Sequence, residues 1–106
     1  MSYLYVIGGT EKPYKIGITT NPERRLKNLQ TGHPHKLRIH YKEEIPDNQV
    51  RLLEQTIHRV IKHRQTHGEW FDIDLDQAIS EVKYARIRYL KDEVIQAVCQ
   101  REVCSS

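Results

Sequence analysis

Only two cysteines occur, Cys99 and Cys104, both within the last eight residues, so there is no second pair of thiols from which to build a disulfide framework or a four-ligand zinc site. They read as reduced thiols. No apolar run approaches a membrane span: the opening one, Tyr3 to Ile7, stops at Gly8-Gly9 and is too short even for the hydrophobic part of a signal peptide. A soluble, cytoplasmic protein with no membrane partner is the expectation. Repeats, low-complexity tracts and Gly/Ser linkers are absent as well, so the 106 residues are expected to share one core. Nor is there a large charge of one sign. Seventeen Lys and Arg against fourteen Asp and Glu leave a formal charge of +3, a mild excess that suits a polyanionic partner and equally suits many ordinary proteins. What is present is a polar but foldable mixture, 29% charged and 38% hydrophobic, with too many Ile, Leu, Val and Tyr for a disordered chain.

Residues 3 to 8 (YLYVIG) and 14 to 19 (YKIGIT) are β-rich runs separated by GTEKP, which predicts a hairpin. Tyr3, Tyr5 and Ile7 share one face of the first strand, and Lys15, Gly17 and Thr19 share one of the second; register decides whether those faces coincide. Asn21-Pro22-Glu23 starts a helix, with a side-chain acceptor at the cap, proline at the first helical position and a carboxylate in the first turn. This helix is expected to end near Gly32, to pack through Leu26 and Leu29 and to carry Arg25 near its buried side. Leu37, Ile39 and Tyr41 then alternate with Lys36, Arg38, His40 and Lys42, predicting a third strand with one apolar and one basic face.

Between about Asn48 and His67 the apolar residues Val50, Leu53, Ile57, Val60 and Ile61 recur at helical spacing, and Glu54 falls on the margin of their stripe. A carboxylate there costs free energy unless a cation or hydrogen-bond donor meets it. GEWFDI reads as a short extended stretch, after which Asp74 or Asp76 starts a final helix reaching about Cys99. Its apolar stripe drifts: Leu75, Ala78, Ile79, Val82 and Ala85 centre roughly 120° from Ile87, Leu90, Val94 and Val98 on an ideal wheel. The second half is therefore expected either to follow a kink or to meet something else, a second copy of the chain included. Lys83 to Lys91 adds four cations and two tyrosines, which suits either a nucleic-acid surface or a solvated face. The expected fold class is α+β, a small antiparallel three-stranded sheet flanked by helices, with a core over 1–73 and a helical extension of the same domain over 74–106.

A strand tyrosine (Tyr5), a strand lysine (Lys15), a helix arginine (Arg25) and a half-buried glutamate (Glu54) are the candidate functional residues, and taken singly each fits an ordinary structural network. Their order and spacing say more. The hairpin, the helix bearing Arg25, the third strand and the helix carrying LLEQ resemble the GIY-YIG nuclease superfamily over about residues 3 to 71. The string YKIGITTNPERRLKNLQTG and the later GEWF are similar to a branch found in phage and bacterial genomes. The resemblance departs from the family at three places: Tyr3 stands at the first-motif glycine, Lys15 at the second-motif tyrosine with Tyr14 just before it, and no asparagine follows in Glu69 to Phe71.

That resemblance implies a metal-dependent endonuclease acting on nucleic acid, DNA before RNA, with Glu54 holding Mg2+ or Mn2+ and Arg25 donating to the phosphate. Tyr5 is then expected to orient or deprotonate the attacking water, with Lys15 favouring its phenolate, acting as base or contacting phosphate. Tyr14, His40, His58, Lys83 and Arg86 are the expected nucleic-acid contacts. The other reading is a nucleic-acid-binding module of the same fold without turnover. A zinc site is not expected: His63 and His67 share a helix face and His33 and His35 flank a proline, but no third ligand completes either set. A homodimer through the C-terminal helix is the expected assembly.

Overall fold

The computed structural model describes residues 1–87. Apart from Ile87, which is exposed, the drifting half of the last helix lies outside the described residues, as do both cysteines and the rest of the face assigned to a homodimer.

β1 (Ser2–Gly8) and β2 (Tyr14–Thr19) form the expected hairpin, in a register that sets Tyr5 opposite Gly17 and Ile7 opposite Lys15. Directly opposed residues share a face of the sheet, so Tyr3, Tyr5, Ile7, Lys15, Gly17 and Thr19 all point the same way. β3 (Arg38–Ile45) pairs antiparallel with the other edge of β1. Between β2 and β3 runs α1 (Pro22–Thr31), started as its sequence predicts, with Asn21 Oδ1 accepting from the Arg24 N–H at 3.1 Å. α2 (Asp47–Val60) follows β3, and the Ser2 hydroxyl donates to its first-turn carboxylate, Asp47, at 2.6 Å.

The sheet has five strands and not three, in the order β3-β1-β2-β5-β4. After α2 and a 3-10 turn, β4 (Gln65–His67) and β5 (Trp70–Phe71) make a tight hairpin around Gly68, whose φ of +57° is left-handed, and β5 adds to the free edge of β2. Every residue of β4 is exposed and β5 is two residues long, so neither carries an alternating pattern that could announce a strand.

Two helical layers cover the sheet. On one face Leu4, Val6, Tyr14, Ile16 and Ile45 pack with Val50, Leu53, Ile57 and Ile61, and with Phe71 and Ile73. Tyr5, Ile7 and Leu37 lie on the other, under Leu26 and Leu29 of α1. A bulge in β3 divides its expected apolar face: Val6 pairs with Tyr41 but Ile7 with Ile39, leaving His40 as the extra residue. Ile39 therefore joins the α1 layer and Tyr41 the α2 layer.

Residues 75–87 are helical (α3), and the Ala78 N–H bonds to the Asp74 carbonyl at 2.9 Å, so Asp74 opens this helix. Ala78 and Val82 are fully buried in the α2-side core. The first half of the predicted stripe is thus spent within the chain. Lys83 and Arg86, the expected nucleic-acid contacts on this helix, face β3: the Lys83 ammonium lies 5.2 Å from the Tyr41 ring centre and Arg86 is ion-paired with Glu43. No helix among the described residues is long and apolar enough to cross a membrane.

Phe71 is 1% exposed and ties β5 to the core. Phe71→Ala is expected to lower stability in urea titrations by about 3–5 kcal/mol. Val60→Ala, at a half-exposed position of α2, should stay within about 0.5 kcal/mol of wild type.

Candidate active site

Glycine at position 17 decides what can gather on the α1 face of β2. A Cβ there would lie 2.5 Å from the Tyr5 hydroxyl oxygen and 2.7 Å from Glu69 Oε2, closer than real Cβ atoms approach. The missing side chain is therefore what lets the phenol, reaching across from β1, and a carboxylate from the β4-β5 turn meet over one backbone position. Arg25 enters from α1 and donates through Nε to the Tyr5 hydroxyl at 3.3 Å, which leaves its Nη groups without a hydrogen-bond partner among the described residues.

Two positions before Gly17, Lys15 places its ammonium 3.1 Å from Glu69 Oε2 and 5.7 Å from the Trp70 ring centre. The lysine side chain is 9% exposed and the glutamate 36%, so burial weighs chiefly on the ammonium, and the carboxylate and ring offset it. Glu69 is held by its own backbone, since its carbonyl accepts from the Ile16 N–H at 3.1 Å. The Ile16 carbonyl in turn accepts from His58 Nε2 at 2.8 Å, docking α2 against the outer edge of β2. Glu54 stands one turn before His58, and its Oε2 is buried with no hydrogen-bond partner.

Four predicted residues from four elements thus share one electrostatic neighbourhood. Burial holds the Tyr5 phenol above its ordinary value, Arg25 pulls it down, and Glu69 and Glu54 push it up. Burial, the largest of these effects, favours a neutral phenol over the expected phenolate, and the Lys15 ammonium is paired with Glu69. Burial also raises the Glu54 carboxyl above the usual carboxylate range; Glu69 adds to this, and His58, Arg51 and Lys15 oppose it. Glu69 is the residue that sequence reasoning missed, although it belongs to the GEWF string already singled out.

The remaining expected contacts lie elsewhere or are occupied. Tyr14 is 4% exposed in the α2-side core, with its ring against Gly8. His40 Nε2 donates to the carbonyls of Gly9 at 2.8 Å and Gly8 at 3.1 Å, so this nitrogen clamps the end of β1 and is not free for a phosphate. His58 belongs to the site as the strut between α2 and β2. Among the described residues no three His, Cys, Asp or Glu cluster as a metal cage. The two carboxylates fit a different kind of metal, one bound by one or two carboxylates, by waters and by substrate phosphate. The unpartnered oxygen of Glu54 and its upward-shifted carboxyl are what a hard divalent cation would relieve.

A family model described as the T5orf172 domain matches residues 2–86, most of the chain. The chain belongs to the T5orf172 domain family. It is accordingly a nuclease-like or nucleic-acid-related domain. The matched span runs past residue 73 through the described part of α3, in keeping with the burial of Ala78 and Val82 in the same core. No curated protein and no solved structure matches the chain.

A carboxyl raised on folding favours its protonated form in the native state. Its ionisation therefore costs stability as pH rises from the unfolded value through the folded one, and the cost vanishes below both. Glu54→Gln is expected to unfold at a higher temperature than wild type at about pH 7.5, with the gap closing towards about pH 3.5. A constant gap across that range would place the effect outside Glu54 ionisation. Gly17→Ala should fold less stably and separate Tyr5 from Glu69, a shift that the ring resonances of Tyr5 report by NMR.

Proposed function

We propose that this T5orf172 domain is a GIY-YIG-type endonuclease that hydrolyses nucleic-acid phosphodiester bonds, DNA before RNA, with the help of one Mg2+ or Mn2+ ion. The observation that carries this reading is the buried, unpartnered Glu54 oxygen beside the Tyr5, Arg25, Lys15 and Glu69 cluster, since a purely structural network would have satisfied it.

Hydrolysis requires water to attack an anionic phosphorus and an alkoxide to leave. Arg25, with Nε on the Tyr5 hydroxyl, has its Nη groups available for the non-bridging oxygens, where transition-state charge collects. Tyr5 is a neutral phenol held from one side, so it suits orienting the water better than taking its proton. The Glu69 carboxylate, meeting the same point over Gly17, is the acceptor for that proton as the water oxygen bonds to phosphorus. The bond to one ester oxygen breaks, and solvent returns a proton to the leaving group. Glu54 would hold the metal, which when bound would polarise the phosphate and stabilise the departing oxygen.

The pairing of Lys15 with Glu69 favours a second reading, a module that binds nucleic acid without cutting it, because the ion pair holds both groups in place. Incubation with supercoiled plasmid separates the two. Wild type is expected to nick or linearise it only with Mg2+ or Mn2+, Glu54→Gln to lose that activity, and Arg25→Ala to slow it by about 10²–10³. Binding by wild type in EDTA, with no cutting under either metal, would instead establish the module.

A further inference from the structure

A groove of about 370 Å3 opens beside the C-terminal end of α2, lined by Gln55, His58, Arg59, Lys62, Gln65 and Phe71. It lies within the size range of small-ligand sites. No acidic residue lines it, and neither Arg59 nor Lys62 has an ion-pair partner among the described residues. Both are exposed. Two unopposed cations at one groove provide a point for a dianion or for successive phosphates. His58 lines the groove beside them; its Nε2 is spent on the Ile16 carbonyl and its ring lies 5.0 Å from that of Phe71. Gln65 uses its amide N–H on the Gly68 carbonyl, which leaves its oxygen as an acceptor, and Gln55 adds an exposed amide with both a donor and an acceptor. Charge for phosphate, ring surface for a base and amides for a base edge thus occur together, one helical turn from Glu54.

We propose that this groove is the subsite for the nucleotide adjoining the scissile phosphate: its own phosphate sits on Arg59 and Lys62, and its base enters beside His58 with Gln55 and Gln65 at the edge. The proposal rests on the reading of the domain as acting on nucleic acid, and supplies the strand-positioning contact that the catalytic cluster lacks. Arg59 also lies in the last turn of α2, where a cation offsets the helix dipole, a role that would need no ligand.

The test measures binding of a fluorescein-labelled single-stranded oligo(dT) by anisotropy in EDTA over a range of salt, so that cutting does not interfere. Arg59→Ala with Lys62→Ala is expected to weaken binding about tenfold near physiological salt and to flatten the log-log salt slope by about 1.4, the release expected from two phosphate contacts to a single strand. Gln55→Trp keeps both cations but fills the groove, and should weaken binding as well. Lys36→Ala with Arg38→Ala removes the same charge at the β3 side of the sheet and should change affinity little.

Equal losses in the groove and control pairs, unchanged binding by Gln55→Trp, or no binding by wild type would each overturn the subsite; thermal midpoints confirm that the variants are folded. Plasmid cutting keeps the two ideas separable. Metal-dependent cutting with an unaltered KM in the Arg59/Lys62 double variant removes the subsite and leaves the nuclease. Loss of binding through the groove variants, in a wild type that never cuts, leaves the subsite and removes the nuclease.

Discussion

The site is organised by the two backbone groups of Ile16. Its N–H donates to the Glu69 carbonyl and its carbonyl accepts from His58, so one residue of the central strand fixes both the turn before β5 and the helix bearing Glu54. The β5 strand pairs with β2 only at Tyr14 and Lys15, and its early end is what leaves the Ile16 carbonyl for a side chain. A longer β5 would have continued the ladder and excluded α2 from the edge. A bare edge would have left a buried carbonyl unsatisfied, at a cost of about 1–3 kcal/mol. Hydrogen-bond satisfaction at the edge of the sheet and assembly of the site are therefore a single event.

Around that point the charges are arranged so that no group is comfortable alone. The Lys15 ammonium is nearly buried and depends on Glu69 and the Trp70 ring. Glu69, so engaged, raises the proton affinity of both Tyr5 and Glu54. Lysine at the position where the resemblance expects a tyrosine is thus matched by a carboxylate where the resemblance expects an asparagine region. Replacing Glu69 alone would strand the nearly buried Lys15 ammonium, and truncating one partner of such a pair commonly costs about 3–5 kcal/mol in fully buried settings, less where one partner is a third exposed as here.

How far the sequence could be read follows from which signals are local. The hairpin, the cap at Asn21, the stripe of α2 and the marginal position of Glu54 are each set by neighbours within a turn or a strand, and they emerged as the periodicities predict. The convergence of Tyr5, Lys15 and Arg25 needed the register, which period two leaves open and which the opposition of Tyr5 and Gly17 resolves. The bulge at His40 breaks the alternation of β3, and no residue in the sequence announces it. The chemistry of Tyr14, Lys83 and Arg86 suits a ligand surface, but it does not disclose that Tyr14 is buried, that Lys83 lies against the Tyr41 ring or that Arg86 pairs with Glu43. Glu69 was missed because its role depends on a two-residue strand pairing with a segment far away in sequence.

α2 shows how a fold holds a residue it would otherwise reject. Of its predicted stripe Val50, Leu53 and Ile57 are buried, as is Ile61 at its C-cap, and Val60 alone is half exposed. On the margin stand two polar side chains one turn apart, and they are treated oppositely: His58 is satisfied by Ile16, and one oxygen of Glu54 is left without a partner. A helix anchored by a satisfied polar contact at one turn loses little orientation when the next turn carries an unsatisfied one, so the penalty at Glu54 does not release the helix. Packing alone gives no reason for stability to be given up at this carboxylate, and the proposed function would supply one, because a bound cation would meet the unpartnered oxygen.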